Sequence, residues 1–196
     1  MKNLETKRQI RAAYLKKRAS WPIDSRKRAG KMIEKVLFSS PVFCQTEELY
    51  CYISYGEEVS TKGILKQALK EGKKVAVPKV SGPGKMEFYY IDSMEDVKPG
   101  FKGILEPKGR GRLAEGEAGL ILVPGLACDK NGYRIGYGGG FYDAYLKAHP
   151  KLLSIGLFYS IQLIDTVPVQ EQDMPVQRIM TEKGNLLCSQ SCQTIR

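Results

Sequence analysis

Short apolar runs separated by amphipathic stretches restrict this chain to few folds. Leu120-Ile121-Leu122-Val123 is apolar at every position and stops at Pro124-Gly125, which suits a strand buried on both faces. Residues 49–54, 75–77, 86–91 and 152–159 read as further strands, with Pro78 closing the second and Gly82-Pro83-Gly84 turning into the third. A final pair is expected near 179–181 and 186–188. Between them lie helical patterns at 4–18, at 25–38 behind an Asp24-Ser25 cap, and at 61–72 behind Ser60-Thr61. Ser39-Ser40-Pro41 is expected to end the second helix. Residues 98–118 hold five glycines and little periodicity, so an irregular excursion is expected there. Strands alternating with helices give an α/β class: a three-layer α/β/α arrangement around a mostly parallel central sheet. The 196 residues carry no internal repeat or low-complexity linker, so a single domain over 1–196 is expected, with a helical pair at about 1–38.

That pair holds the unusual charge. The net charge is +10, and residues 1–35 contain 12 Lys/Arg against 3 Asp/Glu, a local balance of +9. A basic segment on a neutral body is either a nucleic-acid arm or a face for small anionic ligands. No RNP-like, KH-like or zinc-knuckle pattern supports the first. Lys2, Lys7 and Arg8 open the chain without an apolar stretch behind them, and no run is long enough to span a bilayer; a cytoplasmic protein is expected.

Cysteine and histidine prune the chemistry. Cys44, Cys51, Cys128, Cys188 and Cys192 form no CxxC pair, and His149 is the one histidine. Structural zinc sites and Ser-His-Asp triads are therefore excluded. Cys51 reads as a small core residue, and His149 as a surface residue at a helix end. Catalysis must use carboxylates, Lys/Arg, backbone amides or a hard metal ion.

Gly136, Gly138, Gly139 and Gly140 follow Arg134 and precede Tyr142-Asp143 at a helix start. Glycines there let backbone amides converge on an anion, typically phosphate, without a Cβ in the way. The spacing fits neither GxxxxGK[ST] nor GxGxxG, and a structural turn remains the alternative. Asp143 is either a hard-oxygen ligand for Mg²⁺ or a first-turn carboxylate facing the helix dipole.

The run from Val123-Pro124-Gly125-Leu126-Ala127-Cys128-Asp129-Lys130 through Arg134-Ile135-Gly136-Tyr137-Gly138-Gly139-Gly140-Phe141-Tyr142-Asp143 resembles the signature of 5-formyltetrahydrofolate cyclo-ligases. Lys7 with Arg11, Tyr52-Ile53-Ser54 with Glu58 and Thr61, Gly103-Ile104-Leu105-Glu106-Pro107, and Val167-Pro168-Val169 with Asp173 and Thr181 resemble its other motifs, in order along the chain. The resemblance implies a Rossmann-like sheet of NagB/RpiA-like topology. It also implies an ATP- and Mg²⁺-dependent closure of 5-formyltetrahydrofolate to 5,10-methenyltetrahydrofolate, through phosphorylation of the formyl oxygen and attack by N10.

By the same resemblance Lys7, Arg11, Arg134, Gly136, Gly138, Gly139, Gly140 and Tyr142 meet ATP, with Arg134 and Tyr142 catalytic. Glu58, Tyr137, Phe141 and the loop glycines 138–140 border the folate. Tyr52 and Tyr55 are read from their type and position as an aromatic wall for the pterin, with core packing the alternative for Tyr52, which follows the strand's alternation. Asp143 and Asp173 hold Mg²⁺. Two positions depart from the family pattern: Gln172 stands where many members have His, and Gln177 where they have a second Asp. These weaken the metal's ligand set and keep open a folate- or nucleotide-binding homologue without activity. Lys16, Lys17, Arg18, Arg26 and Lys27 are expected to face solvent, where a polyglutamate tail is a second possible ligand. A monomer acting on small molecules, with no nucleic acid or membrane partner, is expected.

Overall fold

The computed structural model describes residues 6–100, 103–109 and 111–188; Lys2 and Cys192 lie outside them. Helix α1 spans Lys7–Ser20 and opens on a reciprocal cap, in which Thr6 Oγ1 accepts the Gln9 N–H and Gln9 Oε1 accepts that of Thr6. Helix α2 spans Ile23–Phe38 and starts after Pro22, without the side-chain cap expected from Asp24. Asp24 sits instead in the first turn, where its charge meets the helix dipole. Ser40-Pro41 does not simply stop the helix but starts another, α3 at Pro41–Gln45, with Ser40 Oγ accepting the Phe43 N–H.

Next come β1 (Glu48–Cys51), α4 (Lys62–Lys70), β2 (Lys74–Gly82), β3 (Lys85–Ile91), β4 (Val97–Pro99), β5 (Leu105–Pro107) and β6 (Leu120–Val123). The chain continues through β7 (Ala127–Cys128), β8 (Arg134–Ile135), α5 (Phe141–Ala148), β9 (Leu153–Leu157), β10 (Arg178–Thr181) and β11 (Gly184–Leu187). Seven strands form one sheet in the order β11-β10-β9-β6-β1-β2-β3. The inner strands from β10 to β2 are parallel, and β11 and β3 pair antiparallel at the two ends.

Alternation along the strands builds two cores. Leu49 and Cys51 of β1, Leu120 and Leu122 of β6, and Ile155 and Leu157 of β9 point to one face, against Ile33 and Leu37 of α2, Phe43 of α3, and Ile64, Leu65 and Ala68 of α4. Tyr50, Ala76, Ile121, Val123 and Ile179 point to the other, against Phe88, Tyr145 and Leu146. Each such aliphatic or aromatic side chain contributes about 1.5–3 kcal/mol when fully buried. Cys51 is fully buried, as expected, and burial pushes its thiol well up from the ordinary range.

Two strand boundaries differ from expectation for identifiable reasons. β2 runs through Pro78 instead of ending there. Phe88 and Tyr90 turn their backbone groups away from β2 to bond Ala114 and Arg112, so Pro78, opposite Phe88, lies in a non-hydrogen-bonded pair. Its nitrogen faces the β1 side, where the register stops at Tyr50↔Ala76, and no ladder bond is lost. β1 in turn ends at Cys51 because Thr61 captures the next backbone groups. Thr61 Oγ1 donates to Tyr52 O (2.7 Å) and accepts from the Ser54 N–H (3.0 Å), closing residues 52–61 into a loop. The excursion at 98–118 is not wholly irregular: β4, which starts one residue before it, pairs antiparallel with β5, and past β6 the chain forms the hairpin β7–β8.

Candidate active site

Strand order reverses between β1 and β6: the chain moves outward to β2 from one and to β9 from the other. Loops leaving the carboxyl ends of strands at such a reversal form a crevice, the usual ligand position in an open α/β sheet. Here they are residues 52–61 after β1 and residues 124–140 after β6.

The second loop is shaped by Asp129, a buried carboxylate that accepts the N–H groups of Asn131 (2.9 Å), Tyr133 (3.2 Å) and Val167 (2.9 Å). That clamp sets the β7–β8 hairpin and delivers Arg134 to the start of β8. Arg134 is buried; its guanidinium donates to Met174 O at 2.6 Å and pairs with Asp143 Oδ1 at 3.2 Å. Asp143 Oδ1 also accepts the Met174 N–H at 3.1 Å. Burial lowers the Arg134 pKa, and Asp143 opposes that shift.

Past Arg134, Gly138 (φ 102°) and Gly140 (φ 67°) take backbone conformations that L side chains rarely adopt, and Gly140 is the N-cap of α5. The helix therefore starts with its amides turned to the loop, and Tyr142 and Asp143 lie in its first turn. Tyr142 packs against both cores, and burial holds its phenol protonated, well above the ordinary tyrosine range.

Helix α1 lies over this loop through Ile10, which packs with Ala127, Ile135 and Val167. Arg11 Nε donates to Gly136 O at 2.8 Å, and a Cβ on Gly138 would stand 3.5 Å from the Arg11 guanidinium carbon. Lys7 pairs with Asp173, whose Oδ2 also accepts the Gln170 N–H at 2.7 Å, and Lys7 reaches Gln170 Oε1 at 3.3 Å. Lys7, Arg11, Arg134, Asp143 and Asp173, from both ends of the sequence, thus border the glycine loop. Gln172 donates to Gln170 beside Asp173. Gln177 is turned elsewhere: its Oε1 accepts the Ser154 N–H at 2.8 Å, between β9 and β10.

In the first loop, Glu58 Oε2 accepts the Tyr55 N–H at 2.9 Å, and Tyr159 donates to Glu58 O at 3.2 Å. Burial raises the Glu58 pKa, while the Tyr55 amide, Arg18 and Tyr137 favour its charged form. Tyr55 and Tyr137 are about half exposed. Tyr52 is not: it is buried in the core, with its hydroxyl donating to Val59 O at 2.8 Å, so it cannot form an open aromatic wall with Tyr55. Beside Phe141, a cavity of about 210 Å³ lies between α5 and the β2–β3 hairpin, lined by Met86, Glu87, Tyr145 and His149. His149 is less exposed than expected, because its ring packs on Tyr145 with centroids 4.1 Å apart. A wider depression of about 450 Å³ on the α2 surface, at Lys31, Lys35 and Phe38, holds none of these groups.

Two residues expected in solvent are not there. Arg18 is 1% exposed, and Arg26 is partly buried against the Arg18 carbonyl. Lys16, Lys17 and Lys27 are exposed. The signal for Arg18 was its spacing: with Lys7 and Arg11 it forms a stripe at i, i+4 and i+11 on α1. Gln162 was also missed; buried, it donates to Gly125 O (3.0 Å) and Leu126 O (2.9 Å) and holds the start of the second loop.

Residues 3–182 match the model of the 5-formyltetrahydrofolate cyclo-ligase family. The chain is 27% identical to mouse 5-formyltetrahydrofolate cyclo-ligase over 189 residues, covering 90% of this chain and 93% of the relative. It is 30% identical to the mitochondrial enzyme of that name from Arabidopsis thaliana, covering 91% and 74%. The NMR structure of Aquifex aeolicus 5,10-methenyltetrahydrofolate synthetase superimposes with a TM-score of 0.83 at 32% identity, covering 93% of both chains.

Proposed function

The chain belongs to the 5-formyltetrahydrofolate cyclo-ligase family, and from that premise we propose that it uses MgATP to close 5-formyltetrahydrofolate to 5,10-methenyltetrahydrofolate. The observation that carries this reading is the meeting of Lys7, Arg11 and Arg134 around the glycine loop. Three cations and a helix N-terminus suit a triphosphate.

The chemistry follows from the substrate. A formyl oxygen on N5 is a poor leaving group, so it attacks the γ-phosphorus of ATP and ADP departs. N10 then attacks the activated formyl carbon and loses its proton, and the C–O bond breaks with phosphate carrying the former formyl oxygen. The products are 5,10-methenyltetrahydrofolate, ADP and phosphate. Such transfers depend on positioning and charge neutralisation more than covalent catalysis. Arg134 stabilises charge on the transferring group, Lys7 and Arg11 hold the polyphosphate, and the amides of Gly136, Gly138, Gly139 and Gly140 line it. Tyr142, kept protonated, donates a hydrogen bond at the transfer point. Glu58 accepts from the pterin N–H edge, while Tyr55, Tyr137 and Phe141 flank the ring.

The carboxylates fit a Mg²⁺ that arrives with the nucleotide. Among the described residues no group of three His, Cys, Asp or Glu gathers as a metal site, and Asp143 and Asp173 are each paired with a cation. Mg²⁺ needs only one or two protein carboxylates when phosphates complete its shell. Held there, it would neutralise charge on the β- and γ-phosphates. Lys7 and Arg134 would turn from the carboxylates to phosphate.

The chain works as one cyclo-ligase domain over 1–196 and as a monomer in the cytoplasm, on small molecules only, with nucleic acid and membrane outside its role. Among the described residues no helix is long and apolar enough to cross a membrane. Lys7, Arg11 and Arg18 of α1 turn inward while Arg8, Lys16 and Lys17 stay exposed, and the inward three support a small anion over a polymer. The test is isotopic: ¹⁸O in the formyl group should appear in the released phosphate. Label recovered in water instead would refute the phosphorylated intermediate.

A further inference from the structure

Among the described residues Arg18 is the largest side chain that is fully buried. Burying a guanidinium costs several kcal/mol unless it is paired, and an aliphatic residue would pack the last turn of α1 at lower cost. Among the described residues no carboxylate forms an ion pair with it, and its Nε has no hydrogen-bond partner. Its contacts are specific: one terminal nitrogen donates to Gly125 O at 3.3 Å, and the other to Tyr137 Oη at 2.5 Å. Gly125 is itself fixed, since Gln162 bonds the same carbonyl and a Cβ there would stand 2.7 Å from the Phe158 ring. Arg18 is thus a rigid post between the β6 end and the tip of Tyr137.

Tyr137 is the unusual partner. It is 52% exposed, yet its hydroxyl is held by a buried charge. An exposed tyrosine ordinarily moves among rotamers; one tied at the hydroxyl keeps a fixed ring with a face left open. We infer that Arg18 is a positioning residue, which holds Tyr137 as a stiff stacking wall for a flat heterocyclic substrate. Resting on the proposed function, that substrate is the reduced pterin of 5-formyltetrahydrofolate. A preset ring spares the ordering cost that a mobile one would impose on binding. Because Lys7 and Arg11 share the helix with Arg18, the element that meets phosphate also sets the folate side.

The test is a double-mutant cycle on Tyr137→Phe and Arg18→Met, read as the dissociation constant of 5-formyltetrahydrofolate and the KM for each substrate. Arg18 and Tyr137 also both favour the charged form of Glu58, so the cycle is run in a Glu58→Gln background as well. There each single variant should still weaken folate binding about tenfold, and the double variant also about tenfold, since both remove the Arg18–Tyr137 bond. The KM for ATP should change far less. Independent effects that multiply to about a hundredfold would overturn the inference. So would an equal rise in both KM values, which is what general damage to α1 would give. Should Arg18→Met fail to fold, Tyr137→Phe decides alone: unchanged folate affinity in that folded variant overturns the inference. Failure of the wild-type chain to bind 5-formyltetrahydrofolate at all would instead refute the proposed function, and this inference with it.

Discussion

Replacing Arg134 by Met removes the charge that the proposed reaction depends on most. The loss in structure can be counted: the bond to Met174 O at 2.6 Å and the pair with Asp143 at 3.2 Å both disappear. Met174 O is left without that donor, and Asp143 keeps only the Met174 N–H bond described for it. Because the Asp143 side chain retains 27% exposure, water can take over part of its solvation, and the stability cost should be about 1.5–3 kcal/mol, below that of a fully buried pair. At about 2–4 °C per kcal/mol for a chain of this size, Tm should fall by roughly 3–12 °C, leaving a folded protein at room temperature. The kinetic loss should be separable and larger. A preorganised donor aimed at developing charge is worth about 10²–10³ in kcat. Arg134→Lys should recover little of it, since one ammonium cannot hold the Met174 carbonyl and meet the transferring phosphate at once as a two-pronged guanidinium does. Single-turnover formation of the methenyl product from bound substrates reports the step itself. A folded Arg134→Met protein within about fivefold of the wild-type rate would refute the role given to this residue.

Glu58→Gln should bind folate more weakly yet gain stability as pH rises. Its folded pKa is raised by burial, so keeping it charged opposes folding above the ordinary carboxylate range, a penalty absent when it is protonated; the variant's Tm advantage should grow from pH 4 to 7, and a constant difference would contradict this. With Asp143 and Asp173 held by Arg134 and Lys7, Mn²⁺ alone should bind weakly, and a non-hydrolysable ATP analogue should raise its affinity at least about tenfold by calorimetry; equal affinity with and without nucleotide would contradict the exchange of partners. Gly138→Ala, at φ 102° beside Arg11, should cost at least about 1–2 kcal/mol in denaturant unfolding and raise the KM for ATP; an unchanged unfolding midpoint would show that the loop relaxes freely.

What the sequence made legible was the framework, because its signals are local. Leu120–Val123 is apolar throughout and occupies the middle of the sheet, and the glycines at 136–140 lie between a short strand and a helix as their composition suggests. The missed features depend on partners distant in sequence. Pro78 looked like a strand stop, but its tolerance depends on where β1 ends and which way Phe88 faces. β7 and β8 are two residues each, too short for periodicity, and are held by Asp129 and the register of Ala127 with Ile135. The alternation of Tyr52 pointed to the core as readily as to a ligand wall, and burial is the outcome, but the strand pattern gave no sign that Val59 would claim its hydroxyl. Arg18 was the costliest omission. A basic residue at the end of a basic helix ordinarily faces water, and only Gly125 and Tyr137, over a hundred positions away, turn it inward.

The central claim is ATP-driven ring closure by this chain. Purified protein, 5-formyltetrahydrofolate and MgATP should yield the methenyl product, followed by its near-ultraviolet absorbance, with one ADP and one phosphate released for each ring closed. Omitting the nucleotide should abolish the product. Folate that binds without ATP-dependent closure, or product that forms without ATP, would contradict the account.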